Sequence, residues 1–139
     1  MSEGFIADSS VGVAWAAHSQ ASEATDQLLE KVAGGGPLVV PTLWPFEVAN
    51  SLLALLRRKR ILPSERDRAL GALARLPLVV DDEGPRLALG RISELASEPG
   101  LSVYDATYLE LAVRRKLPLA SRDEALCNAA QGCRVRLLL

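Results

Sequence analysis

Short apolar runs rich in strand-forming residues alternate along this chain with longer stretches whose apolar positions recur at helical spacing. The short runs at 4–7, 37–40, 76–80, 117–120 and 134–138 read as strands, and 10–15, 22–32, 45–59, 64–76, 85–96 and 103–116 read as helices. The punctuation agrees with this division. Gly34-Gly35-Gly36 closes the second helix and Gly100 follows the fifth. Ser64 with Asp67 three residues on reads as a helix start, and Pro85 suits a first helical turn. Strands separated by helices predict an α/β fold, a sheet of about five mainly parallel strands with helices on both faces. Leu38-Val39-Val40 and Leu78-Val79-Val80 are apolar without alternation, as strands buried on both faces are. With no internal repeat and no linker, the expectation is one domain over residues 1–139.

Composition narrows the function. A net charge of −1 gives the molecule no overall attraction for nucleic acid, so such binding requires a local basic patch. No apolar run approaches the ~20 residues of a membrane span, and the N-terminus lacks a signal-peptide pattern. A cytoplasmic protein with two reduced thiols, Cys127 and Cys133, is the expectation. His18 is the single histidine, which argues against histidine-based catalysis, and two cysteines with one histidine are too few for a typical zinc site. Nucleotide-binding and serine-hydrolase signatures are missing; the triple glycine is a helix stop.

Four acids carry the chemistry. Asp8, Glu47, Asp105 and Asp123 each sit just past an apolar stretch, where a helix begins. In open α/β sheets ligands bind outside the carboxyl ends of the strands. Sequence order places Asp8 and Asp123 there, and Glu47 is one helix start further along. Asp105 opens a helix preceded by another helix, so its placement depends on the tertiary fold. Each acid also has a plain structural role, since a carboxylate at a helix N-terminus satisfies free N–H groups and contributes about 0.3–1 kcal/mol. Ser102 and Asp105 have the spacing of a capping box. Their company weakens the purely structural reading. Glu47 lies in Trp44-Pro45-Phe46-Glu47-Val48-Ala49 and Asp105 among Val103, Tyr104, Ala106 and Tyr108. Two carboxylates about 5 Å apart repel by roughly 3 kcal/mol at an effective dielectric near 20. A gathered quartet must stay partly protonated or hold a divalent cation.

The motifs around these acids resemble those of PIN-domain ribonucleases. Phe5-Ile6-Ala7-Asp8-Ser9-Ser10-Val11 resembles the opening strand, and Pro41 through Asn50, with Glu47-Val48-Ala49-Asn50, the second acidic motif. Leu101 through Ala112, centred on Tyr104-Asp105-Ala106, is similar to the third, and Leu117 through Asp123 to the fourth, with Ser121 in place of the usual Thr. Order, spacing and length resemble VapC-type toxins of toxin–antitoxin pairs. The resemblance implies a three-layer α/β/α fold and an endoribonuclease dependent on Mg2+ or Mn2+. It implies Asp8, Asp105 and Asp123 as metal ligands, with Glu47 completing the site directly or through water. Ser9 and Ser121 would orient ligating carboxylates, and Asn50 would hold a carboxylate or an RNA phosphate. A homodimer and a cognate antitoxin seated in the acidic groove are the implied partners.

The strongest basic run is Arg57-Arg58-Lys59-Arg60, either a solvated helix end or an RNA contact shared with Arg122. Arg114 has Glu110 one turn before it and reads as an intrahelical pair. Trp15, Trp44 and the leucines of 52–56 read as core or interface. The alternatives are a non-catalytic PIN-fold interaction module or another acidic-site phosphohydrolase. A receiver domain or aspartyl phosphatase is disfavoured because Ser9 and Ser10, not further acids, follow Asp8.

Overall fold

The computed structural model describes residues 4–97 and 100–139. Its strands β1 (Phe5–Ala7), β2 (Leu38–Pro41), β3 (Leu78–Asp81) and β4 (Leu119–Ala120) form one all-parallel sheet in the order β3-β2-β1-β4. The helices are α1 (Ser9–Ala16), α2 (Glu23–Ala33), α3 (Trp44–Arg57), α4 (Pro63–Ala74), α5 (Gly84–Leu87), α6 (Ser93–Leu95), α7 (Val103–Arg115) and α8 (Glu124–Gly132). A π-helical turn, Ala88–Ile92, joins α5 to α6.

The topology follows from parallel pairing. From β1 to β2 to β3 the chain steps in one direction, then returns across the sheet to the far side of β1. Right-handed crossovers then require the helices of the return to cover the face opposite α1–α4. The packing agrees: α1 lies against α2, α3 and α4, whereas α7 covers β1, β2 and β4 with α6 and α8 beside it. β1, central and covered on both faces, buries Phe5, Ile6 and Ala7 completely. Because the direction of winding reverses at β1, a crevice opens at the carboxyl ends of β1 and β4.

The predicted strand at 134–138 is reduced to one parallel bridge, Leu119 with Leu137. β4 is two residues long, so only Leu119 has both backbone groups available, donating to Arg136 O (2.9 Å) and accepting from Leu138 N–H (3.0 Å). Leu78-Val79-Val80 is not buried on both faces. β3 is the terminal strand, and Val79 and Val80 are 42% and 50% exposed. α4 begins at Pro63, one residue before Ser64, and its start is held by Glu65, whose Oε1 accepts from Leu62 N–H at 3.1 Å, not by Asp67. The segment 85–96 is broken by the π turn, and α8 lies outside the helices that the apolar pattern predicts, although Asp123 reads as a helix start. The glycine stop holds: Gly34 caps α2 and Gly35 takes φ +95°, which only glycine adopts freely.

Candidate active site at the carboxyl edge of the sheet

Asp8 leaves the end of β1 and caps α1. Its Oδ1 accepts from Ser10 N–H (3.1 Å), Ser10 Oγ–H (2.5 Å) and Val11 N–H (3.4 Å), and its Oδ2 accepts from Ser121 Oγ–H (2.5 Å). The backbone is pinned as well: Asp8 N–H donates to Ala120 O (3.1 Å), and Trp44 Nε1–H donates to Asp8 O (3.2 Å). Gly12 permits this approach, since a Cβ there would stand 2.7 Å from Trp44 Cζ2 and 2.9 Å from Val48 Cγ2. Burial raises the Asp8 carboxyl above its ordinary range, opposed by the hydroxyls of Ser10 and Ser121 and the amides of Val11 and Ser10.

Ser121 ties a second acid to the first. The same Oγ that donates to Asp8 accepts the amide of Asp123 (2.9 Å), and Asp123 Oδ1 caps α8 through Leu126 N–H (2.8 Å). Glu47 lies in the first turn of α3, after Pro45 at the helix start. Tyr108 Oη–H, from the second turn of α7, donates to Glu47 Oε1 at 2.6 Å, joining the starts of the two helices. Burial raises the Glu47 carboxyl, the phenol opposes it, and the like charges of Asp105 and Asp8 raise it further. Burial and the bond to Glu47 push the Tyr108 phenol far above its usual range, so it remains a donor. Asp105 completes a capping box with Ser102, at 3.0 Å and 3.3 Å.

Asp8 and Asp123 cap helices and Asp105 completes a capping box, while Ser121 links Asp8 to Asp123 and Tyr108 ties Glu47 to the helix of Asp105. Each of Glu47, Asp105 and Asp123 keeps one carboxylate oxygen without a protein partner among the described residues. No three His, Cys, Asp or Glu side chains among the described residues stand close enough, as positioned, to hold a metal ion. The donor set nevertheless suits one: it is all oxygen, as hard divalent cations prefer, and its raised carboxyls would gain from a cation.

Ser10, not Ser9, contacts Asp8. A capping carboxylate reaches the amides two and three residues on, so the second serine is the one within reach. Ser121 bonds a carboxylate, and Asn50 is exposed on α3. Arg122 donates its amide to Ser10 Oγ (3.1 Å) and its guanidinium to Ser22 Oγ (3.2 Å). With Arg58, Ser10 and Gln20 it lines a cavity of about 300 Å³, which adjoins one of about 490 Å³ lined by Arg58 and Arg60. Arg57 lines neither. The largest cavity described, about 730 Å³, lies beside α8 and contains none of the four acids. Tyr108 and Trp44 are the contributors that sequence reasoning passed over as apolar neighbours. The only available signal was their position within the two acidic motifs.

A four-stranded parallel sheet flanked by helices, with Asp8 and Asp123 where β1 and β4 give way to helices, defines an α/β domain. Residues 5–132 match the model of the PIN domain, and this chain belongs to the PIN-domain family. PIN domains are commonly nucleases and usually bind divalent metal ions. The fold is similar to the crystal structure of PAE2754 from Pyrobaculum aerophilum, at 24% identity and a TM-score of 0.68, covering 95% of this chain and 90% of that one. That likeness is one of fold. No curated protein sequence matches this chain. No helix among the described residues is long and apolar enough to cross a membrane.

Proposed function

We propose that this PIN domain is a divalent-metal-dependent endoribonuclease and the toxin of a type II toxin–antitoxin pair, restrained by a cognate antitoxin and working as a homodimer. One observation carries the catalytic part. One hydroxyl, Ser121, links Asp8 to Asp123, and Tyr108 ties Glu47 to the helix that carries Asp105. Structural caps on separate helices have no need of this proximity.

In this reading Asp8, Asp105 and Asp123 would hold Mg2+ or Mn2+, with Glu47 completing the site directly or through water. Such an ion would supply water activation and charge stabilisation at the phosphate being cleaved. Ser10 and Ser121 fix the plane of the Asp8 carboxylate by binding both its oxygens. Tyr108 occupies Oε1 of Glu47 and leaves Oε2 free to accept a proton from water. A raised carboxyl pKa suits that role. Arg58 and Arg122, on the flank of the acids, hold the backbone phosphates.

Purified protein should cut RNA with Mg2+ or Mn2+, stop on EDTA, and lose at least about a hundredfold in rate as Asp8→Asn or Asp105→Asn, the scale of a lost charge-stabilising group. Arg58→Glu should weaken binding and flatten its salt dependence. Induced expression should arrest growth for the wild type and not for Asp8→Asn. Absence of cleavage by the wild type, or normal cleavage by both Asn variants, removes the catalytic reading. Growth unaffected by an active enzyme removes the toxin role.

A further inference from the structure

The chain has six aromatic residues, and the fold uses four of them. Phe5, Trp44 and Tyr108 are buried, and Trp15 is half-buried with its indole N–H on Thr25 O at 2.7 Å. The remaining two, Phe46 and Tyr104, are 76% and 60% exposed. Both immediately precede a site acid: Phe46 stands before Glu47 and Tyr104 before Asp105. They lie in the first turns of α3 and α7, the helix starts that the Tyr108–Glu47 bond joins. The Tyr104 hydroxyl has no hydrogen-bond partner among the described residues. Both rings stand largely outside the core, each one residue before a site acid at the start of its helix.

The chemistry of the surroundings selects the occupant. Exposed Val103 adjoins Tyr104, but a carboxylate follows each ring, Glu47 after Phe46 and Asp105 after Tyr104, and charged groups are depleted from the core of a protein contact. Arg58 and Arg122 line a cavity with Ser10, the serine that bonds Asp8, and two arginines there suit a phosphate backbone. What a nucleic-acid strand still needs is a surface for its bases, and every base presents a π-face to a flat ring. We propose that Phe46 and Tyr104 are stacking platforms for unpaired nucleobases beside the scissile phosphate, acting as positioning residues that set which phosphate meets the acids. This rests on the nuclease reading of the same site.

The test separates binding from cleavage. The full chain in EDTA is titrated with a fluorescent single-stranded RNA oligomer and with a series of the same oligomer carrying one abasic position each. Phe46→Ala and Tyr104→Ala should each weaken binding about tenfold, the scale of one lost stack. Phe46→Trp and Tyr104→Phe, which keep a ring, should retain affinity. At one abasic position the wild type should lose about tenfold while the matching Ala variant loses nothing further, because the ring and the base are one interaction. The dependence on salt should not change, since no phosphate contact is removed. With Mg2+ or Mn2+ the Ala variants should raise KM and spread the cut positions.

If both Ala variants bind the intact RNA like the wild type, or if ring and base losses simply add, the platform is overturned and the rings belong to a protein contact. Coupled binding without any cleavage sinks the nuclease reading and leaves the platform standing. Normal cleavage without coupling does the reverse.

Discussion

Asp81 ends β3, is 3% exposed, and holds two arginines of α7. Its Oδ1 accepts from Arg114 Nη2 (2.9 Å), and its Oδ2 accepts from Arg114 Nη1 (2.9 Å) and Arg115 Nε (2.9 Å). Arg114 is shared with Glu110, one turn earlier on the helix, at 2.7 Å. This network clamps the far end of the helix that carries Asp105 and Tyr108. The Arg114 guanidinium, with lesser help from the Glu83 amide and Arg115, lowers the Asp81 carboxyl from its ordinary 3.8 to about 2, against the penalty of burial. At 1.36 kcal/mol per pKa unit the difference is worth about 2 kcal/mol of stability at pH 7. A depressed carboxyl stabilises above its unfolded pKa and loses that stability as pH falls through the folded value. The window is therefore roughly pH 4 to 2, and about 1 kcal/mol should remain at pH 3. Removing one partner of a fully buried pair costs roughly 3–5 kcal/mol, but here Glu110 still neutralises Arg114, so the smaller figure applies. Urea unfolding of wild type and Asp81→Asn at pH 7 and pH 3 measures both numbers. A difference of about 2 kcal/mol that halves at pH 3 supports the clamp. Equal differences at the two pH values would show that shape, not charge, holds the helix, and would refute the reasoning.

Three further outcomes follow from the site. Gly12→Ala should destabilise by about 1–3 kcal/mol, because its Cβ meets Trp44 and Val48 at under 3 Å; thermal melting measures the loss, and weaker metal affinity should accompany it through the Trp44–Asp8 bond. Tyr108→Phe removes a bond that lowers the Glu47 carboxyl, so the acid limb of the cleavage profile should move to higher pH, whereas a purely structural phenol would leave it in place. Burial raises the Asp8 and Glu47 carboxyls, so their ionisation costs stability as pH rises through the folded values. Mg2+ or Mn2+ favours the ionised forms. Calorimetric titration in two buffers should show protons released on binding, affinity rising with pH, and a higher Tm that Asp105→Asn abolishes.

What was legible in the sequence was local. Apolar runs end where strands end, and Asp8, Asp105 and Asp123 cap helices where the pattern changes period. Whatever depended on distant parts of the chain was not. Tyr108 and Glu47 are 61 residues apart, and a tyrosine at helical spacing among apolar neighbours looks like core. Leu-Val-Val occurs in both β2 and β3, yet only the strand order decides that the first triplet is enclosed and the second lies at the edge. Ser9 and Ser10 are equivalent to a pattern of polar positions, and only cap geometry separates them.

The two borders of the sheet are unequal. Beyond β4, Leu119 already exchanges bonds with Arg136 and Leu138, while β3 presents Val79 and Val80 to solvent with no strand beyond it among the described residues. Filament growth by strand addition needs two dissimilar receptive borders, so that each copy can accept another behind it. Here one border is already taken. Strand addition is thereby favoured at the β3 border, where Val79 and Val80 stand exposed. Residues 136–138 thus cover the β4 border while lying on the opposite side of the sheet from the exposed valines.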